Sequence, residues 1–442
     1  MNTSNEPGTE TTKLSLPNQQ PPRVSTAPRI APDGGYGWIV TTSIAIIYAH
    51  SWGISAAYSV FLAHYIRSDT FPGTSALVYA AIGSLSIGIT LVISPPATIM
   101  ARELGTRPTM LLGAVLQSAS LLFGVGMGLL FLPSYGIVAQ WFTTRRALAN
   151  GVAIAGAGLG GLTYSLAVGA MMDSMGLPWA YRVLAIVSGI ANVVSILLIR
   201  TRYGETRAKR LALDVSLFKR VDYLLILGFG AFSMLGYFIL IFALANYANV
   251  IGLDPSQASQ VSAVFMLGQA VRRPAIGWLS DRFGRINVTL LMTSVTGILS
   301  LVFWVNAKSF EALITFAFVV GLPAGVFWVN AAPVIAEVLG TENLASGLSL
   351  LWLMMVVPST VSAPVALAIY MRTGTYLGAQ LFTGFTFLAA AACVVVLRQY
   401  QIRIQRKALG SNPNSSEEDG TETLSLRRSK GLRGVSTCWK VV

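Results

Sequence analysis

From residue 36 to residue 397 the chain is a succession of apolar runs parted by short basic breaks, and that pattern leaves few folds open. The runs lie roughly at 36–62, 75–100, 109–142, 147–172, 179–199, 221–250, 257–280, 286–306, 309–336, 344–371 and 375–397. A helix needs about 20 apolar residues to cross the hydrocarbon of a bilayer. Each run therefore supplies one crossing, except 109–142, which is long for one and cramped for two. Backbone polar groups in lipid must pair within their own segment, so the crossings are helical and the chain is an all-α polytopic membrane protein. Only 11% of the 442 residues are charged, against about 25% in a soluble domain.

The net charge of +13 does not signal nucleic acid. The basic residues fall in alternate breaks: Arg102/Arg107, Arg145/Arg146, the cluster Arg200, Arg202, Arg207, Lys209, Arg210, Lys219 and Arg220, and Arg282/Arg285. The positive-inside rule places those breaks and both tails in the cytosol. Residues 1–32, rich in Pro, Ser, Thr and Gln, and residues 399–442, with "NSSEED" and "LRRSK", read as disordered cytosolic tails. Between them stand a bundle at 33–199, a cytosolic loop at 200–220 and a second bundle at 221–398. Two cysteines, Cys393 and Cys438, make no disulfide framework or metal cluster. Cys438 is also one place off a prenylation site. The N-terminal tail has no short apolar core with a cleavage site.

The two bundles echo each other. "GWLSDRFGR", Gly277 to Arg285, and "MARELGTR", Met100 to Arg107, each close an apolar run, and setting Gly284 on Gly105 gives an offset of 179 residues. Paired repeats of this kind are the layout of major facilitator folds. The second-half copy, with Gly277, Leu279, Asp281, Arg282, Gly284 and Arg285, matches the signature loop of that superfamily; the first-half copy has Arg102-Glu103 where Asp-Arg would stand.

"PDGGYGWIV", Pro32 to Val40, leads into the first run. Asp33 can cap the first helix by accepting backbone N–H bonds, Gly34, Gly35 and Gly37 allow a tight turn, and Tyr36 and Trp38 suit the membrane–water interface. "DGGYGW" also resembles the opening motif of the monocarboxylate transporter family, and "LFLPSYGIVAQWFTTRRALANGVAIAGAGLGG", "RRPAIGWLSDRFGR" and the long central loop are similar to its fungal-type members. The resemblance runs from about residue 32 to 398. It implies two six-helix bundles rocking about a central site, a monomeric carrier in the plasma membrane, a small organic substrate with protons as a candidate second cargo, lipid as surroundings, and no cofactor, metal or nucleic acid. It further implies that Asp33, Gly35 and Trp38 serve the conformational cycle rather than substrate contact.

Arg272 and Arg273 lie about 12 Å inside the run at 257–280, counted from Asp281. Charge at that depth marks a functional site by default. Successive helix positions diverge by about 100°, so one of the two should face a central cavity. The family's substrate-binding arginine matches Arg273, before Pro274, and a guanidinium there can grip a carboxylate through two bonds. The family's animal members carry an acid where Gln269 stands and a lysine where Ala56 stands. Two titratable parts of a proton–lactate mechanism are thus missing. His50, within the first run, is the candidate proton site. Asn330 and Asn246 are candidate polar contacts with the substrate or between helices.

"GAGLGG", Gly156 to Gly161, lies inside an apolar run with no strand before it. It is a close-packing face, not a phosphate loop. Pro133, Pro323, Pro358 and Pro364 should bend or break their helices. No nucleophile–base–acid set occurs, which excludes an enzyme. The chain reads as a transporter of a small organic anion, with a carrier or exporter of a larger metabolite, such as a vitamin or secondary product, as the alternative and a non-transporting sensor as a third. One run fits badly. Arg107 and Arg145 belong on one side, so 109–142 must cross twice, and a turn at "GVGMG", Gly124 to Gly128, leaves only 109–123 for its first crossing. "SLLFGVGMG" reads as a junction across a deletion, produced either by a misplaced intron boundary or by a truly short hairpin.

Overall fold

The computed structural model describes residues 33–58, 61, 76–119, 122–202 and 214–410. Fifteen α-helices carry these residues, and no strand occurs among them. In the first half they are α1 (Tyr36–Ala56), α2 (Ala76–Val92), α3 (Ser94–Glu103), α4 (Thr106–Ser118), α5 (Phe123–Tyr135), α6 (Val138–Trp141), α7 (Arg146–Met175) and α8 (Leu177–Leu198). The second half holds α9 (Val221–Val250), α10 (Pro255–Phe283), α11 (Arg285–Leu299), α12 (Phe310–Gly321), α13 (Val326–Leu339), α14 (Leu344–Thr373) and α15 (Leu377–Gly410).

Among the described residues nine helical stretches are long and apolar enough to span a membrane, and a tenth is the pair Leu85–Val92 and Ser94–Glu103, bent by 42°. Ser94-Pro95-Pro96 makes that bend, because each proline removes a backbone donor. Two passes fall short of that measure. Helix α10 is 29 residues long but carries Gln257, Gln260, Gln269, Arg272 and Arg273, and α4 has only 13 residues. With these two, twelve helical passes form two six-pass halves.

The repeat inferred from the sequence is physical. Gly105 and Gly284 adopt φ 95° and 94° as the residues before α4 and α11. A side chain would be strained at either place. Packing repeats as well: α4 lies on α8 as α11 lies on α15, and α1 on α7 as α9 on α14. The Gly156/Gly160 face sets α7 against α1, where a β-carbon on either glycine would overlap the backbone of Ala45 or Ala49. Across the halves, α7 meets α10 through Gly151 against the Arg273 carbonyl and Gly277 against the Ala147 carbonyl.

Three expectations are corrected. Helix α4 ends at Ser118 and α5 begins at Phe123, so the break lies before "GVGMG", which belongs to α5, where its glycines face α2 and α4. Helix α15 continues to Gly410 rather than ending at 398, since "QYQIRIQRKAL" is made of good helix formers and holds no proline or glycine. Of the prolines, Pro323 lies at the break between α12 and α13, and Pro133, Pro358 and Pro364 lie inside helices that continue past them. Asp33 does not cap α1, whose first residues receive no side-chain hydrogen bond. The expected tails at 1–32 and 411–442, and most of the central loop, lie outside the described residues.

Candidate substrate site and gate

The basic breaks gather at one end of the bundle, and there the second-half signature loop reaches across to the first half. Asp281, at the end of α10, accepts from the backbone N–H groups of Ala147 (3.1 Å) and Leu148 (2.8 Å) in the first turn of α7. A carboxylate at a helix N-terminus satisfies orphan donors and meets the positive end of the dipole. Arg285 pairs with Asp281 (3.1 Å) and with Glu337 (3.3 Å), and donates to the Thr143 carbonyl (2.8 Å). Arg282 points elsewhere, lying over the rings of Trp278 and Phe283.

Asp33 serves the same corner. It accepts from the Thr143 N–H (2.5 Å), the Thr143 hydroxyl (3.0 Å) and the Thr144 N–H (2.9 Å). Burial pushes its carboxyl up, but these hydrogen bonds outweigh that and hold it below the usual carboxylate value. Trp38 packs edge-on to Phe142 (5.0 Å between ring centroids), and a β-carbon on Gly37 would press on that ring. Gly35 takes φ 59° to start α1, while Gly34 has open space around it. The opening motif is thus a strap from α1 to the loop before α7, and Asp281 clamps the start of α7 from the other half.

Midway along α10 the chemistry changes. Arg272 is buried, with Nη1 donating to the Leu322 carbonyl (2.9 Å) at the α12–α13 break and Nη2 3.5 Å from Gln269 Oε1. The Tyr237 hydroxyl donates to the same Gln269 oxygen (2.8 Å). Arg273 turns toward the first half, where its Nη1 donates to the Ile154 carbonyl (2.6 Å). The Nε of each arginine is buried without an acceptor. Among the described residues no carboxylate forms an ion pair with either arginine. Two uncompensated guanidinium groups in one buried cluster repel each other and draw an anion.

The other candidates do not join this cluster. Asn330 is fully buried and donates to Ser280 Oγ (2.9 Å) and Thr289 Oγ1 (2.8 Å), knitting α13 to α10 and α11. Its Nδ2 is used in helix packing while its Oδ1 is buried without a partner, and Asn246 bonds Tyr376. His50 pairs through Nδ1 with the Tyr164 hydroxyl (3.0 Å), and its carbonyl accepts from Gln117 (2.6 Å). All of these His50 partners belong to the first half. Tyr237 escaped the sequence reading because it contacts Gln269 from 32 positions away. An aromatic group escaped as well: Trp52 and Phe131 of the first half meet Trp328 and Trp352 of the second. Its one sequence signal was tryptophan deep inside apolar runs.

The family model of the Major Facilitator Superfamily matches residues 36–230 and 224–441. The chain belongs to that superfamily. It is 28% identical over 398 residues, 84% of each chain, to the probable transporter MCH2 of Saccharomyces cerevisiae. With monocarboxylate transporter 13 of Rattus norvegicus it shares 26% identity over 84% of this chain and 90% of the other. The solved structure of FucP in its outward conformation superposes with a TM-score of 0.62 at 14% identity, covering 82% of this chain and 99% of that one. Membership makes this superfamily protein an integral membrane transporter and not an enzyme.

Proposed function

We propose that this transporter carries a small organic anion of the monocarboxylate type by alternating access, with Arg273 as the anion-binding group. The observation that carries the reading is the pair of arginines, Arg272 buried and Arg273 half-buried, each with a buried, unpartnered Nε and no ion-paired carboxylate among the described residues. Arg272 is committed to the Leu322 carbonyl and Gln269, which suits a strut at the helix break. Arg273 holds one carbonyl and stands at the seam between the halves, where an anion arriving between them can be gripped. The likeness to the rat monocarboxylate transporter supports the substrate class. The end that carries Asp281 and Arg285 is taken as cytosolic and the membrane as the plasma membrane, and Asp281 and Arg285 hold that end closed. Gln269 and Ala56 do not titrate, so uptake follows the substrate gradient unless His50 couples it to protons.

Uptake of labelled carboxylates into proteoliposomes tests this. Arg273→Lys should lower uptake about tenfold or more, because a point charge does not reproduce the planar fork. Normal uptake by Arg273→Ala together with lost uptake by a stably folded Arg272→Ala would move the site to the other arginine.

A further inference from the structure

The aromatic side chains between the halves have a chemistry that an anion site alone does not require. Trp328 and Trp352 stack at 5.4 Å with their planes 20° apart. Trp52 meets Trp328 edge-on at 5.5 Å, and Phe131 meets Trp352 edge-on at 5.3 Å. Tyr237 joins this box to the arginine cluster, its ring 6.3 Å from Trp328 and its hydroxyl on Gln269. Trp352 is 1% exposed and Trp328 8%, and the indole N–H of each, like that of Trp52, is buried with no acceptor. Buried tryptophans ordinarily place that N–H on an acceptor. Phenylalanine would supply a flat apolar wall without an unpaired donor, so three idle donors around one box point to acceptors that arrive with a ligand.

We propose that the substrate is a planar aromatic carboxylate with a hydrogen-bond acceptor on its ring. The ring lies between the halves among Trp52, Trp328 and Trp352, and the carboxylate lies at Arg273. This rests on the anion-carrier reading above. Indole faces select a flat π-system, indole N–H groups select ring acceptors, and the guanidinium selects the charge. The walls come from both halves, so the box parts as the halves rock open and shuts as they close, and a flat ring is the shape that a narrow parting admits.

The test uses the full-length chain in nanodiscs and calorimetric binding of four probes: pyridine-3-carboxylate, benzoate, cyclohexanecarboxylate and pyridine-3-carboxamide. Pyridine-3-carboxylate should bind about tenfold tighter than cyclohexanecarboxylate, as expected for stacking on two indole faces. It should also bind tighter than benzoate, and Trp328→Phe and Trp352→Phe should erase that second preference. Trp304→Phe, which removes a buried unpartnered N–H outside the box, should leave it intact. Equal binding of cyclohexanecarboxylate and pyridine-3-carboxylate overturns the ring inference and leaves the anion reading standing. Equal binding of the carboxamide and the acid overturns the anion reading and leaves the ring inference standing. If none of the four binds, both fall.

Discussion

The two halves build the same hairpin from different lengths of chain. Sixty residues separate Gly284 from the start of α14, and 41 separate Gly105 from the start of α7. The second half crosses with Arg285–Trp304 and Phe310–Leu339, of 20 and 30 residues; the first has 13 in α4 and 19 in Phe123–Trp141. Both hairpins leave from a glycine near φ 95°, and both lay their first helix on the last helix of their half. What the first half keeps is the end near the basic breaks, where Arg107 donates to the Ile199 carbonyl (2.8 Å). What it lacks is the far end. Thirteen residues make roughly 20 Å of helix against a hydrocarbon core of about 30 Å, so the end of α4 at Ser118 falls at membrane depth and has to be sheltered by protein. The shelter is close packing. A β-carbon added to Gly124 would stand 2.8 Å from the Ser86 carbonyl, one on Gly126 would press on Gly113 and Gln117, and one on Gly128 would press on Thr90 and Ile93. The difference teaches that the repeat keeps its glycine turn and the seat of its first helix at the gate end, while the far end is shortened where glycines let helices close up.

The sharpest way to break this account is a side chain in the short hairpin. Gly126→Val would drive a β-carbon into the backbone of Gln117 and within 2.7 Å of the Gly113 carbonyl, and backbone does not yield. Overpacking of this kind costs roughly 3 kcal/mol or more, and we expect no monodisperse protein in detergent. In the long hairpin, Gly297→Ala meets chiefly the Leu388 side chain at 3.0 Å, which can turn aside, so its melting temperature should fall by only a few degrees, about 2–4 °C. Equal losses would show that the shortened hairpin is no more tightly closed than its counterpart.

The second comparison is between the two signature loops. Asp281 is 9% exposed and caps α7 across the seam, whereas Glu103 is 58% exposed and pairs with its neighbour Arg102 at 2.7 Å. Removing Asp281 strips two helix-start donors and leaves Arg285 poorly compensated, a change of several kcal/mol. Asp281→Ala should reduce uptake about tenfold or more, and Glu103→Ala less than about twofold, an exposed pair contributing about 0–1 kcal/mol. Comparable losses from the two would mean that the seam is latched on both sides.

Much of this was legible in the chain before any coordinates. Apolar runs gave the helices, basic breaks gave their grouping, and one glycine in each signature loop gave the repeat, because each is fixed by local chemistry. The hairpin turn was misplaced by a few residues because "GVGMG" is as good a turn as it is a packing face, and only the positions of α2 and α4 decide between them. Asp33 was assigned to its own helix for the same reason. A cap on the next residues and a strap to Thr143 need the same acceptor, and the 110 positions between them carry no local signal. The arginines were found because charge in an apolar run is costly wherever it points. Tyr237 and the tryptophan box were not, since aromatic residues are ordinary in apolar runs and acquire meaning only when five helices bring them together.

The smallest expected effect concerns Asp33, whose contacts stay within the first half while those of Asp281 cross to the other. Asp33→Asn keeps one acceptor for the Thr143 and Thr144 N–H groups but loses the charge, and the site is open to solvent, so the melting temperature should fall by only about 1–2 °C. Its pH dependence has a definite sign. The folded carboxyl is held below its ordinary value, so its contribution is complete above that value, about 3.9, and fades as pH drops through the lower folded value. The gap between wild type and Asp33→Asn should therefore be constant from pH 8 to pH 5 and close only below about pH 4. Melting curves of both proteins across that range measure it. A gap that narrows between pH 7 and pH 5 would mean that a different group, titrating near neutrality, holds the opening strap to the loop before α7.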